Sequence, residues 1–188
     1  MKKVQKCVKI VSKSKECRRK MTNNVEIERK FIIKLPNLAV LKELPSYTES
    51  EIEQIYLDSP CGRTHRIRKR NRGGKCSYTE TEKIRIDEIS AFENEREITK
   101  EEYLTLSKRQ KSGTHPIIKR RLTLEYEGFV FEIDVYPEWE KTCIMEVEMP
   151  KREANPALPP FIEVVEEVTG KKEYSNAKMA VKFPVESL

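Results

Sequence analysis

The segment Val25-Glu26-Ile27-Glu28-Arg29-Lys30-Phe31 constrains this chain more than any other. Read with a period of two, it puts Glu26, Glu28 and Lys30 on one face of a strand, with Val25, Ile27, Phe31 and Ile33 on the other. Two carboxylates so placed repel each other unless a cation lies between them. The device recurs at Glu146-Val147-Glu148, between Ile144 and Met149. Cation pairs with the same spacing, Arg66 with Arg68 and Lys119 with Arg121, lie between these two segments in the chain. Acidic and basic pairs on alternating strands are what a site for a metal and a polyanion needs.

The 188 residues suffice for one domain with a real core. Charged residues make up 36% of the chain, but the 37% that are hydrophobic are strongly patterned, which argues against disorder. The net charge of +6 is unevenly spread. Residues 1–20 hold nine Lys or Arg and a single acid, Glu16, so they carry +8 and the remaining 168 residues carry −2. Basicity is therefore no sign that the folded part binds nucleic acid. Residues 1–24 read as a basic extension, a solvated tail at most able to touch polyanions, and Met21 is a second candidate for the natural start. The domain proper is expected over 25–188.

Five cysteines (Cys7, Cys17, Cys61, Cys76 and Cys143) show no CxxC or Cys/His spacing. No apolar run approaches the roughly 18–20 residues of a membrane span, and lysines interrupt the apolar residues near the N-terminus. A reduced, cytoplasmic protein without membrane contact is expected.

From residue 25 onward the pattern predicts mainly strands: 25–33, 51–57, 63–71, 75–86, 91–98, 115–126, 129–136 and 142–149. Arg72-Gly73-Gly74 and Glu127-Gly128 mark hairpin turns. Helical spacing predicts helices over 38–44, 100–110 with Thr99 as N-cap, 161–168, and one or two turns over 174–181. The expected architecture is mainly β: a closed antiparallel eight-stranded barrel with flanking helices. Closure would gather the charged faces in a lumen and leave the apolar faces to pack outside. A lumen filled with charge is costly unless cations, carboxylates, metal and ligand compensate one another, so the pattern favours a ligand-binding tunnel over a packed barrel.

At these residues the sequence resembles the CYTH family, the triphosphate tunnel metalloenzymes, which includes inorganic triphosphatases, thiamine triphosphatases and class IV adenylate cyclases. The family's ExExK signature is met by Glu26-Ile27-Glu28-Arg29-Lys30. The resemblance continues through Arg66-Ile67-Arg68, Glu82-Lys83, Glu95-Arg96-Glu97, Lys119-Arg120-Arg121, Glu132-Ile133-Asp134, Glu146-Val147-Glu148 and Tyr174-Ser175-Asn176. ExExK alone arises easily by chance; the ordered set, spanning roughly residues 25–182, is specific. For the basic residue that the family places after its C-terminal Tyr-x-Asn element, Lys171, Lys172 and Lys178 are the candidates.

The resemblance implies metal-dependent hydrolysis of a small triphosphate such as inorganic tripolyphosphate. Cyclisation of ATP is the alternative within the family, and a non-catalytic polyphosphate- or nucleotide-binding module is the alternative outside it. Arginine forks suit phosphoryl oxygens, so Arg66, Arg68 and Arg121 are expected to hold substrate, with Lys30, Lys83 and Lys119 as point charges. Truncating Arg68 or Arg121 is expected to cost affinity and not stability. Glu26, Glu28, Glu95, Asp134, Glu146 and Glu148 are the expected metal ligands; all-oxygen donors select Mg²⁺ or Mn²⁺. Glu28, Lys83, Glu97 and Glu148 are the residues expected to serve catalysis. Arg96, out of phase with Glu95 and Glu97, is expected to face away. Phosphoryl transfer rests on positioning and electrostatics, and the chain has no GxxxxGK[ST], GxSxG or HExxH motif. The expected partner is the small-molecule triphosphate, with a homodimer as a further possibility. A chain starting at Met21 should fold and retain turnover, and any salt-sensitive affinity for long polyanions should fall. Loss of folding or activity in that truncation would place residues 1–20 on the barrel.

Overall fold

A computed structural model describes residues 25–186 of the chain. The basic extension over 1–24, with Cys7 and Cys17, lies outside the described residues. The elements in order are β1 (Val25–Lys34), α1 (Leu38–Lys42), β2 (Thr48–Leu57), β3 (Arg63–Arg72), β4 (Lys75–Arg85), β5 (Ser90–Glu97), α2 (Lys100–Ser107), β6 (Ile117–Tyr126), β7 (Phe129–Val135), β8 (Thr142–Glu148), β9 (Val164–Glu167), a 3₁₀ turn (Lys172–Tyr174) and α3 (Asn176–Met179). Strands β5-β4-β3-β2-β6-β7-β8-β1 are neighbours in that order, and β1 pairs back on β5 to close an antiparallel barrel. Two hairpin turns have consecutive positive φ values: Gly73 (56°) with Gly74 (81°), and Glu127 (46°) with Gly128 (79°). That geometry matches the twist of the flanking strands. α2 starts with a capping box between Thr99 and Glu102.

The barrel is inverted in polarity. Phe31, Ile33, Leu122, Leu124, Phe131, Ile133, Cys143, Met145 and Val147, all on outward faces, form the largest core with Leu41 of α1 and Ile162. Ile55, Leu57 and Ile67 pack against Ile98 and Tyr103 under α2. The inward faces carry charge over most of their length. At one end the lumen is stopped by Tyr56, Ile117, Tyr136 and Ile144, which pack with Trp139, Met179 and Ala180. The C-terminal segment thus forms the floor of a chamber. Among the described residues no helix is long and apolar enough to cross a membrane.

The helix expected over 161–168 is not formed; its second half is β9. β1 pairs with β5 only through Val25, Glu26 and Ile27, and from Phe31 onward the same edge is taken by β9. An unpaired strand edge is a stronger demand than a weak helical period, and the adjacent Val164 and Val165 suit a strand. Arg29, the outward residue of the first motif, fixes the pairing by a two-pronged ion pair to Glu167 at 2.9 and 2.7 Å.

Glu186 anchors the floor. Its carboxylate accepts hydrogen bonds from the backbone N–H groups of Glu140 (3.2 Å), Lys141 (2.7 Å) and Thr142 (2.6 Å) and from the Thr142 hydroxyl (2.8 Å). Loss of solvent raises this carboxyl, but the hydrogen bonds outweigh it and lower the group from 4.5 to about 2. A depressed carboxyl stabilises the fold above its unfolded value and ceases to do so as pH falls through its folded value. Glu186→Gln should therefore lower the Tm at pH 7, with the gap to wild type narrowing as melts are repeated from pH 4.5 downward. A pH-independent gap would exclude this role.

Candidate active site

Period-two alternation and barrel closure together make the site. A chamber of about 370 Å³ occupies the lumen. Seven cations line it (Lys30, Arg66, Arg68, Arg70, Lys83, Arg85 and Arg121), as do seven carboxylates (Glu26, Glu28, Glu93, Glu95, Glu132, Glu146 and Glu148). Apart from β1, which carries both signs, each strand contributes charge of one sign. β3 contributes three arginines, and β8 contributes two glutamates. These strands are four places apart in the closed order of eight, so they face each other across the lumen. Registers of Glu28 with Glu148, and of Glu146 with both Lys30 and Glu132, gather the acidic wall from β1, β7 and β8.

Arg121 is the pivot of the acidic side. It binds Asp134 through Nε–Oδ1 and Nη2–Oδ2, both 2.6 Å, reaches Glu146 at 3.0 Å, and contacts Glu132. Lys30 closes the network from β1 with its Nζ 2.7 Å from Glu146. Burial alone would raise Glu146, but Lys30, Arg121 and Lys119 hold it well below the usual carboxylate range. The Lys30 ammonium, although burial lowers it, is raised overall by Glu146 and Glu28.

The basic wall is the opposite case. Arg66 has a partner in Glu93 at 3.1 Å. Arg68 has only the Gln54 amide oxygen at 3.5 Å. Burial, with repulsion from Arg66 and Arg121, lowers the Arg68 guanidinium to about 10. The Nε atoms of Arg66, Arg68 and Arg70 are all buried without a hydrogen-bond partner among the described residues. Buried donors in a row, on side chains that repel one another, are set for an anion.

Ten of the residues expected from sequence meet at this chamber: Glu26, Glu28, Lys30, Arg66, Arg68, Lys83, Glu95, Arg121, Glu146 and Glu148. Lys83 lies against Glu26 and 3.4 Å from Glu93. Three expected site residues are placed elsewhere. Lys119 (2% exposed) and Asp134 (0%) face inward but pair with each other below the chamber, near the apolar floor. Asp134 holds Arg121 in place, and neither it nor Lys119 lines the chamber. Glu97 shares the inward phase of Glu93 and Glu95 but stands exposed at the end of β5. Arg96 faces outward, as its phase predicts, bound to Glu80 and Glu102. None of Lys171, Lys172 and Lys178 lines the chamber, where Ser175, Asn176 and Ala177 stand instead. Arg70, Arg85, Glu93 and Glu132 were not among the expected residues. Each lies two positions from a residue that was, so extending the alternation by one step would have found it.

Among the described residues no group of three or more His, Cys, Asp or Glu side chains stands ready to hold a metal. The donor chemistry nevertheless fits a hard divalent cation. Glu148, exposed at the end of β8, has no ion pair with a described residue, and its carboxyl is raised by partial loss of solvent and by Glu26, Glu132, Glu28 and Glu93. A cation beside Glu148 would relieve that repulsion. Glu28 and Glu148 are the acidic wall's least committed carboxylates, since Glu26 has one close partner in Lys83 and Glu146 is bound by two cations.

The likeness to solved structures agrees with the chamber. The chain is 27% identical to the inorganic triphosphatase NE1496, over 85% of this chain and 96% of that one, with a TM-score of 0.54. It is 26% identical to the PH1819 protein from Pyrococcus horikoshii OT3, over 68% of this chain and 79% of that one, also with a TM-score of 0.54. No family model matches the sequence, and no curated protein matches it.

The geometry separates the two clamp arginines. Arg121→Ala would leave buried carboxylates unpaired and should cost about 3–5 kcal/mol of stability, as removal of one member of a buried ion network does. Arg68→Ala removes a mutually repelled cation and should leave the Tm unchanged or higher. The geometry thus retains the sequence-based expectation of spared stability for Arg68 and reverses it for Arg121. Equal, small Tm changes in the two variants would contradict the ion network.

Proposed function

We propose that the chain, which shares the fold of the inorganic triphosphatase NE1496, is a CYTH-type, divalent-metal-dependent triphosphatase acting on a small triphosphate, inorganic tripolyphosphate above all. The observation that carries this reading is the arginine wall of β3, with its unpartnered buried donors, facing the acidic wall of β8 and β1.

Charge balance explains why a metal belongs here. The chamber's formal charges cancel, so a triphosphate entering alone would leave a strongly negative lumen of low dielectric. Glu26, Glu28 and Glu148, with Glu146 behind them, would hold Mg²⁺ or Mn²⁺. When bound, that ion supplies neutralisation of phosphoryl oxygens and Lewis-acid activation. The protein's own part is positional. Arg66 and Arg68 clamp phosphoryl oxygens with planar forks, and Lys30 and Lys83 add point charges from β1 and β4. Arg121, braced by Asp134, presents its fixed charge from β6. The closed wall and apolar floor confine water to the open end of the chamber, which strengthens the interactions made deeper in it.

The lining favours hydrolysis over cyclisation. Tyr56 and Val130 are the only large apolar or aromatic side chains in it among the described residues, so little is available to stack or enclose a nucleobase. A binding module with no turnover would need no carboxylates beside its phosphate site.

Phosphate release from tripolyphosphate with Mg²⁺ or Mn²⁺ should vanish in excess EDTA and return on readdition of metal. Glu28→Gln and Glu148→Gln should keep the fold and lose most of the turnover, by roughly 10²-fold or more, as for loss of a catalytic electrostatic contact. Full activity in metal-free protein, verified by elemental analysis, would overturn the assignment. Cyclic AMP formation exceeding phosphate release would favour the cyclase.

A further inference from the structure

The arginine wall is longer than a triphosphate requires. Arg66, Arg68 and Arg70 share the inward face of β3, and a rise of about 3.3 Å per residue separates the first and last by roughly 13 Å along the strand. The outer phosphorus atoms of a triphosphate are only two P–O–P bridges apart, so it leaves one end of this ladder uncovered. Which end is set by the floor. Arg66 stands opposite Tyr56 in the β2–β3 register, and Tyr56 packs in the apolar stop with the C-terminal segment. Arg70 stands opposite Ile52, two steps away from the stop. The chamber is also lined by Val130, which is 43% exposed, and by the exposed Glu148, so it is open to solvent on the β7–β8 side.

Arg70 makes no hydrogen bond or ion pair with another described residue, and its Nε is buried without a partner. It lines the chamber half-buried, where loss of solvent and repulsion from Arg121 outweigh attraction from Glu132 and Glu95. A third guanidinium kept without a partner on a wall that already holds Arg66 and Arg68 is costly unless a ligand uses it. We propose that Arg70 forms an anion subsite beyond the triphosphate clamp, so that the tunnel prefers linear inorganic polyphosphates of four or more phosphoryl groups. This deepens the triphosphatase reading and rests on it. A nucleoside triphosphate would put neutral ribose at this position and leave the guanidinium unpaired; a fourth phosphoryl group satisfies it with charge-assisted hydrogen bonds.

Calorimetric titration of the full chain with sodium tripolyphosphate and with sodium tetrapolyphosphate tests this. Both titrations are run in Ca²⁺, and the ligand is checked to be intact afterwards. Wild type should bind the tetraphosphate about tenfold or more tightly, the scale of one hydrogen bond to a charged group. Arg70→Gln should bring the two Kd values together, Arg70→Lys should restore part of the preference, and Arg68→Gln should weaken both ligands with the ratio retained. Equal affinities in wild type, or an unchanged ratio in Arg70→Gln, would overturn the subsite. With tripolyphosphate still bound and hydrolysed, only this inference would fall. If neither anion bound, the triphosphatase reading would fall with it.

Discussion

Compensation of charge inside a closed barrel is the constraint on which the rest of the structure depends. Arg121 shows it most clearly: one guanidinium holds Asp134 with two bonds of 2.6 Å and Glu146 at 3.0 Å, while Lys30 takes the other side of Glu146 at 2.7 Å. The network makes the acidic wall tolerable without water. It also uses up Asp134 and most of Glu146. What stays uncommitted is asymmetric: guanidinium donors on β3 and the Glu148 carboxylate on β8. An anion bridged to a cation, as in the proposed function, would complete both walls at once.

The inverted polarity follows from the same constraint. With charge inside, the apolar half of every strand faces outward and must be covered, and the sequence supplies only short covers. α1 and the loop around Ile162 shield one side, α2 another, and the C-terminal segment stops the floor. Glu186, bound by three backbone N–H groups and a hydroxyl, ties that last element down. Chamber depth is therefore set by residues far in sequence from the charged strands.

Most of the barrel was legible because alternation is a local signal. Glu26-x-Glu28-x-Lys30, Arg66-x-Arg68 and Glu146-x-Glu148 declare strand, face and chemistry within a few residues, and Glu127-Gly128 declares its turn. Depth along the lumen is not local. Lys119 and Arg121 have the same phase, yet one is sealed against Asp134 near the floor and the other borders the chamber. Only strand stagger and the C-terminal segment decide between them. β9 was hidden for a related reason: glutamates around Val164 and Val165 fit a helix or an edge strand, and the edge that selects the strand is created by β5 leaving β1.

The central claim is that the chamber takes anion and divalent cation together, and coupling between the two ligands tests it most directly. Affinity for free tripolyphosphate should be measured by equilibrium titration across a series of free Mg²⁺ concentrations, with metal–polyphosphate association in solution accounted for. Reciprocal linkage requires that each ligand raise the affinity of the other by the same factor. The account predicts clear positive coupling that is lost in Glu148→Gln; an affinity for tripolyphosphate independent of Mg²⁺ would contradict it.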